Sequence, residues 1–467
     1  MSKVCVNFAK AVRPVGMMHG MNNGPFMHQG DFGPEYDEAG IPFVRFHETH
    51  SPTTKCIEVP FIFRDFDADE NDEKNYFFGA TDKVITEAVK HGITVMYRLG
   101  MGTESSRPRL FSNVPKDAKK WARICVNIIR HYNEGWANGF HYNIPYWEIW
   151  NEADLQQYWP GTVEQFNELY EEASLAIRAY DPNLKVGGYA AADLDRKNEL
   201  YEAALPTFHA NDSNLKADSA AAKLNSKNSF AGAFLQNVVD KNLPLDFLSW
   251  HFYRETLEGI HFRCDFAEAI LKQYGLHGKV ENINSEWHGI ALRKRPTTEK
   301  GIWGGWDLSK SGQVCSAVCN VAAMILMQQH NVTKAAYYDA ENRGALCGLW
   351  DVHMHKQKQF YGFKAFNYLY QAGTEYESSS DKFELQAMAA ADEKKGYLLL
   401  ANYTEEADVV ALELTNMPGA DMKLYLLDET RSLEEVVDSD CFGAAACVNR
   451  EINLPPMSVA LIEFQFR

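Results

Sequence analysis

The 467-residue chain carries 46 Lys plus Arg against 63 Asp plus Glu, a formal net charge of −17, so most of its surface repels nucleic acid and anionic membrane. A hydrophobic content of 46% sets disorder aside and supports a large core, and the length suits one large domain with a smaller satellite. The opening MSKVCVNFAKAVRPVG has no apolar leader region, and no apolar run reaches the roughly 18 residues of a spanning helix. Nine Cys, an odd number scattered without C-x-x-C spacing, read as reduced thiols, and the expected location is the cytoplasm.

In chain order, KVCVNF in the first 14 residues reads as a strand that joins a later sheet. From residue 15 short β-rich runs alternate with helical periods. The runs are VGMMHG (15–20), PFVRFHE (42–48), ITVMYRLG (93–100), YWEIWNE (146–152), KVGGYA (185–190), DFLSWHFY (246–253), VENINSEW (280–287) and AAYYDA (335–340). Between them TDKVITEAVKHG predicts a helix capped by its Thr and closed at His-Gly. PKDAKKWARICVNIIRHYNEG and VEQFNELYEEASLAIRAYDP space apolar residues three and four apart. Eight strands with intervening helices predict an α/β fold, a (β/α)8 TIM barrel over residues 15–374. Beyond it FELQAMAAADEKKGYLLLANYT, DVVALELTNM, MKLYLLDE and MSVALIEFQF lack a helical period. They predict a C-terminal antiparallel β-sandwich over 375–467.

A barrel of this kind places its chemistry at the C-terminal ends of the strands. There the second run offers Arg45, His47 and Glu48, the fourth Asn151 and Glu152, and the sixth His251 and Tyr253. The seventh offers Glu286, Trp287 and His288, and the eighth Asp339 and Glu341. Glu152 and Glu286 face each other across the predicted mouth with no Lys or Arg beside them in the chain. Breaking a glycosidic bond needs such a pair: one carboxylic acid to protonate the leaving oxygen, one carboxylate to attack or stabilise the anomeric carbon, about 5–5.5 Å apart in a retaining enzyme. The Trp and Ile residues of YWEIWNE supply apolar walls that keep an acid protonated, and Arg45 and the Tyr253 hydroxyl are donors for an ionised partner.

Trp159, Trp287, Trp303, Trp306 and Trp350 fall in or beside strand-end loops, where each serves either core packing or a sugar platform. GIWGGWDLSK (301–310), with Trp306, is the favoured platform, and Trp287 and Trp350 join the expected substrate contacts. GMNNGPFM, flanked by His19 and His28, reads as a turn-rich first loop. His47-Glu48-Thr49-His50 is one residue short of the helical His-Glu-x-x-His zinc pattern, so no metal is expected. No phosphate-binding Gly loop follows a strand.

WEIWNE, followed by INSEWHG, with VRFHE, SWHFY and LCGLWDVHMHKQKQFYGFKAFNYL in order, resembles glycoside hydrolase family 39, the retaining clan-A family of β-xylosidases and α-L-iduronidase. The resemblance covers most of the chain. It implies Glu152 as general acid/base, Glu286 as nucleophile, Asn151 as a hydrogen-bond partner of the sugar 2-hydroxyl, and His47 and His251 as subsite walls. Tyr253 would touch the nucleophile, and Asp339 with Glu341 would match an acidic position after the eighth strand. Tyr253 stands where iduronidases carry Lys, which disfavours a uronate. The expected protein is a retaining exo-glycosidase, β-xylosidase-like, needing no cofactor and acting on a small carbohydrate. Arabinosidase, galactosidase and glucosidase activities remain alternatives within the family, and association into a homo-oligomer is left open. Two rivals stand outside it. A sugar-binding pseudoenzyme would normally lose one carboxylate, and a metal-dependent hydrolase would need clustered His and Asp at strand ends.

Overall fold

The computed structural model of the protein describes residues 1–27, 30–47, 57–102, 113–194, 229–254, 256–289, 311–341 and 347–467. His28, Glu48, His50, Trp303 and Trp306 lie outside the described residues. All eight predicted barrel strands form. After β1 (Ser2–Pro14) come β2 (Met17–Asn22), a two-residue hairpin β3 (Phe26–Met27) and β4 (Gly30–Asp31), then β5 (Phe43–Phe46), β6 (Thr94–Leu99) and β7 (Tyr146–Ile149). They are followed by β8 (Lys185–Ala191), β9 (Phe247–Arg254), β10 (Glu281–Gly289) and β11 (Val332–Tyr337). The strands β2, β5, β6, β7, β8, β9, β10 and β11 pair in parallel, each with the next, and close into a barrel.

The helices between them follow from local signals. Ala118–Asn133 starts where the Asp117 side chain accepts from the Lys120 amide. Val163–Tyr180 opens on a Thr162–Gln165 capping box and ends at Asp181, before Pro182. The helix Gly79–Lys90 begins two residues ahead of the predicted Thr81 cap, because Thr81 is buried inside its first turn rather than left free to cap it.

Period-two alternation fills the barrel bore in layers. Its floor is Phe43, Met96, Tyr146, Phe247, Ile283 and Ala336, all buried and in mutual contact. Two positions further along the same faces stand Arg45, Arg98, Glu148 and Ser249, all fully buried. An apolar floor therefore lies under a charged layer.

The rest of the chain is β12 (Thr374–Ser380), β13 (Leu385–Ala391), β14 (Lys395–Asn402), β15 (Asp408–Met417), β16 (Ala420–Leu427), β17 (Ser432–Phe442), β18 (Ala445–Leu454) and β19 (Ser458–Phe466). With β1 they make one nine-stranded sheet, ordered β17-β16-β19-β14-β13-β12-β1-β15-β18. All its pairings are antiparallel except β1 with β15. β18 comes back against β19, so the sheet curls over a core that includes Val4, Leu398, Leu412, Leu424 and Ile462. The helix Val314–Gln329 is buried on every side because it lies between the barrel strands and β13, β14 and β19. Among the described residues no helix is long and apolar enough to cross a membrane.

The floor layer sets the strand register beneath the charged residues. Ile283→Ala should lower unfolding free energy in urea by about 2–5 kcal/mol, as expected for a fully buried branched side chain.

Candidate active site

The charged layer is organised by Arg45, whose side chain is fully buried. Its Nε donates to Glu148 Oε2 at 2.6 Å, and one terminal nitrogen donates to Asn22 Oδ1 and Glu286 Oε2, each at 3.1 Å. The other donates to Asn151 Oδ1 at 2.7 Å. A guanidinium in this position needs anionic and amide acceptors all round, and each acceptor comes from a different loop or strand. Burial works against the Arg45 charge, but Glu148, Glu286 and Glu152 outweigh it and push the pKa up, so the cation persists.

Two backbone irregularities lift the carboxylates above this layer. β7 stops at Ile149, and both Trp150 (φ 71°) and Glu152 (φ 47°) adopt the left-handed conformation that side-chain-bearing residues resist. The turn is over-determined. The Trp150 amide donates to Leu99 O, its indole donates to Tyr158 O, and its ring packs against Trp121 and Trp159, while the Glu152 amide donates to Ala190 O. On β10 the register with β9 slips between Asn284 and Glu286, a bulge that re-aims Glu286. Asn22 Nδ2 donates to the carbonyls of Ser285 and Ala336 and so ties the bulge to the neighbouring strands.

The outcome is a compact constellation. A carboxylate oxygen of Glu152, one of Glu286 and a ring nitrogen of His251 all lie within 4.8 Å of one another. His251 Nδ1 is 2.9 Å from Glu152 Oε1 and 3.8 Å from Glu286 Oε2. The Tyr253 hydroxyl donates to Glu286 Oε1, and His47 Nε2 stands 3.7 Å from Glu286 Oε2. Burial holds the His251 pKa down at about 4 despite the nearby Glu286 charge, so the ring is neutral at neutral pH. Burial, then the Glu286 charge, pushes Tyr253 well up and keeps its proton in place. Burial also raises the Glu286 carboxyl above its ordinary 4.5, and repulsion from Glu152 adds to that. Arg45 and the Tyr253 hydrogen bond pull the other way without cancelling the rise. Asn151 Oδ1 is taken by Arg45, while its Nδ2 is buried with no hydrogen-bond partner among the described residues.

Glu152, Glu286, Asn151, His47, His251, Tyr253 and Arg45 thus come together. Trp287 and Trp350 do not serve as platforms. Trp287 is wholly buried and packs on Phe252, Tyr337 and Phe363, because alternation after the bulge sends Glu286 inward and its neighbour outward. Trp350 is buried in a stack on Phe32, its indole donating to Ala340 O. Asp339 and Glu341 follow β11, both buried, and their charges act on Tyr36 and Cys347. Three residues escaped the sequence reading. Glu148 carried a signal, since alternation in YWEIWNE puts it on the inward face. Asn22 lay in a run read as a turn. Tyr338, whose ring faces both His47 and Tyr253, sat beside the acidic residues that drew attention.

A β-xylosidase of Caldicellulosiruptor saccharolyticus is 27% identical over 167 residues, 33% of this chain and 32% of that protein. One of Geobacillus stearothermophilus is 29% identical over 165 residues, 33% and 31% of the two chains. The chain thus spans about a third of the length of these relatives in the match. A glucosidase structure from Croceicoccus marinus superposes with a TM-score of 0.74 at 20% identity, covering 100% of this chain and 99% of the other. A monomeric β-xylosidase from Caulobacter crescentus CB15 gives 0.66 at 15%, with the same coverage. At such identities the structures speak for the fold. The family model of the glycosyl hydrolases family 39 matches residues 34–286, more than half of the chain, which therefore belongs to that family of O-glycoside hydrolases.

Proposed function

We propose that the protein is a retaining exo-glycosidase that removes xylose from short β-xylosides through a covalent glycosyl-enzyme. The observation that carries the mechanism is the approach of Glu152 and Glu286 to within 4.8 Å, oxygen to oxygen. It supports retention, because an inverting pair stands about 6.5–9.5 Å apart to admit a water between carboxylate and sugar. Exo-action and xylose as the sugar rest on the β-xylosidase relatives. A reducing, cytoplasmic setting rests on the scattered cysteines, of which Cys5, Cys125, Cys264, Cys315, Cys319, Cys347 and Cys447 are free thiols.

In the first step Glu152 gives its proton to the leaving oxygen while ionised Glu286 attacks the anomeric carbon. The glycosidic bond breaks and the alcohol departs. Arg45 and Tyr253 hold the Glu286 carboxylate in place, and neutral His251 orients Glu152. Asn151 Nδ2, without a partner among the described residues, is the donor for the sugar 2-hydroxyl. In the second step the Glu152 carboxylate takes a proton from water, the water oxygen bonds to the anomeric carbon, and Glu286 leaves.

Across p-nitrophenyl pentosides and hexosides, the β-xyloside should give the highest kcat/KM, and Glu286→Gln should lower it on the order of 10⁴-fold or more. Proton NMR of the first product should show the β anomer, and the α anomer first would end the retaining mechanism. Glu152→Ala should regain rate with added azide and yield a β-glycosyl azide, because a small anion needs no base to attack the intermediate. For the pH profile the sign follows from the nucleophile, which must be ionised to react. A Glu286 pKa raised above 4.5 places the acid limb of kcat/KM above that pH, with activity lost as pH falls through it. Tyr253→Phe removes a hydrogen bond that lowers this pKa, so the limb should move to still higher pH.

A further inference from the structure

Away from the carboxylates, the helix Leu257–Gln273 packs beside the end of Val314–Gln329, and three metal-competent side chains meet there. His261 and Asp265 are one turn apart on the first helix, and His330 is the residue that ends the second. One ligand atom from each lies within 4.8 Å of the other two. His330 Nε2 and His261 Nδ1 are 2.9 Å apart. The remaining nitrogens both face one carboxylate, His330 Nδ1 at 3.1 Å from Asp265 Oδ1 and His261 Nε2 at 3.5 Å from Oδ2. Glu268 Oε2 lies 3.9 Å from His330 Nδ1, with its other oxygen held by Lys272, His277 and Asn331.

With both imidazoles neutral, this closed ring of three contacts is one hydrogen short. Two neutral imidazoles carry one N–H each. If both N–H groups turn to Asp265, two nitrogen lone pairs meet at 2.9 Å. If one N–H lies between the rings, a lone pair faces a carboxylate oxygen instead. An added proton resolves the conflict, and so does a metal ion between the rings. Zinc–imidazole bonds of about 2.0–2.1 Å around a tetrahedral ion put ligand nitrogens about 3.3 Å apart, a few tenths wider than they stand here. Both outward N–H groups would then donate to Asp265, the carboxylate–histidine–metal arrangement that orients metal-bound imidazoles. The two histidines are 69 positions apart, so no spacing motif announces them.

We propose that His261 Nδ1 and His330 Nε2 bind a divalent transition-metal ion of the zinc class, with Asp265 holding both rings, at a site separate from the carboxylate pair. The test is calorimetric titration of the chelator-treated full-length protein with zinc chloride, with thermal unfolding in parallel. One zinc equivalent should bind and raise Tm. His261→Gln combined with His330→Gln should abolish both effects, Asp265→Asn should weaken binding about 10–100-fold, and neither change should alter glycoside hydrolysis in chelator. Cobalt absorption of the wild-type protein, lost in the double variant, gives a readout independent of variant stability. Failure of the wild-type protein to take up zinc would overturn the proposal. So would unchanged binding in the double variant, or uptake that inhibits hydrolysis and is removed by Glu286→Gln instead.

Discussion

The site depends on one buried cation. Arg45 sits in the barrel bore with none of its surface exposed, where an uncompensated charge costs several kcal/mol. The chain meets that cost with Glu148 from β7, Asn22 from β2, Asn151 from the turn after β7 and Glu286 from β10. Satisfying the guanidinium and positioning the carboxylate and amide groups around it are therefore the same act. Because the guanidinium is planar with N–H groups in a fixed fork, each acceptor is held in direction as well as distance.

Rigidity comes from what surrounds that cation. Below it, the apolar floor of Phe43, Tyr146, Phe247 and Ile283 sets the height and register of the strands. Above it, a left-handed turn at Trp150 and Glu152 and a bulge at Ser285 lift the two carboxylates out of the ladders and aim them together. Both departures from ideal geometry are expensive for the backbone, and aromatic packing on Trp150 and the Asn22 bonds across the bulge hold them. Under the proposed function, a site held in this way would change little as charge develops, the condition for electrostatic catalysis.

The curled sheet is joined to the barrel rather than hung from it. The first strand of the chain lies inside that sheet before the chain enters the barrel, and the helix Val314–Gln329 is buried between the two bodies. The barrel core runs without a break into Met388, Leu399 and Leu461 of the sheet, so their apolar faces cover each other.

Much of this was legible in the residue order. The eight barrel strands appear as alternating or apolar runs of four to nine residues, and that periodicity is local chemistry, visible without coordinates. Glu152 and Glu286 stood out because each ends such a run without a cation beside it in the chain. In the sheet, β12, β17 and β18 went unread; β12 buries one of its residues and β18 two, too few to show a period. Trp287 and Trp350 were misassigned because an indole at or beyond a strand end is compatible with both stacking and packing, and only the neighbouring Phe252, Phe363 and Phe32 decide between them. By itself, then, the sequence determined the barrel and its strand ends and singled out the two carboxylates. The tertiary structure decided that Arg45 binds Glu286 directly and Asn151 beside Glu152, that Glu148 neutralises it and that His261 meets His330, because pairings between groups far apart in the chain leave no trace in local periodicity.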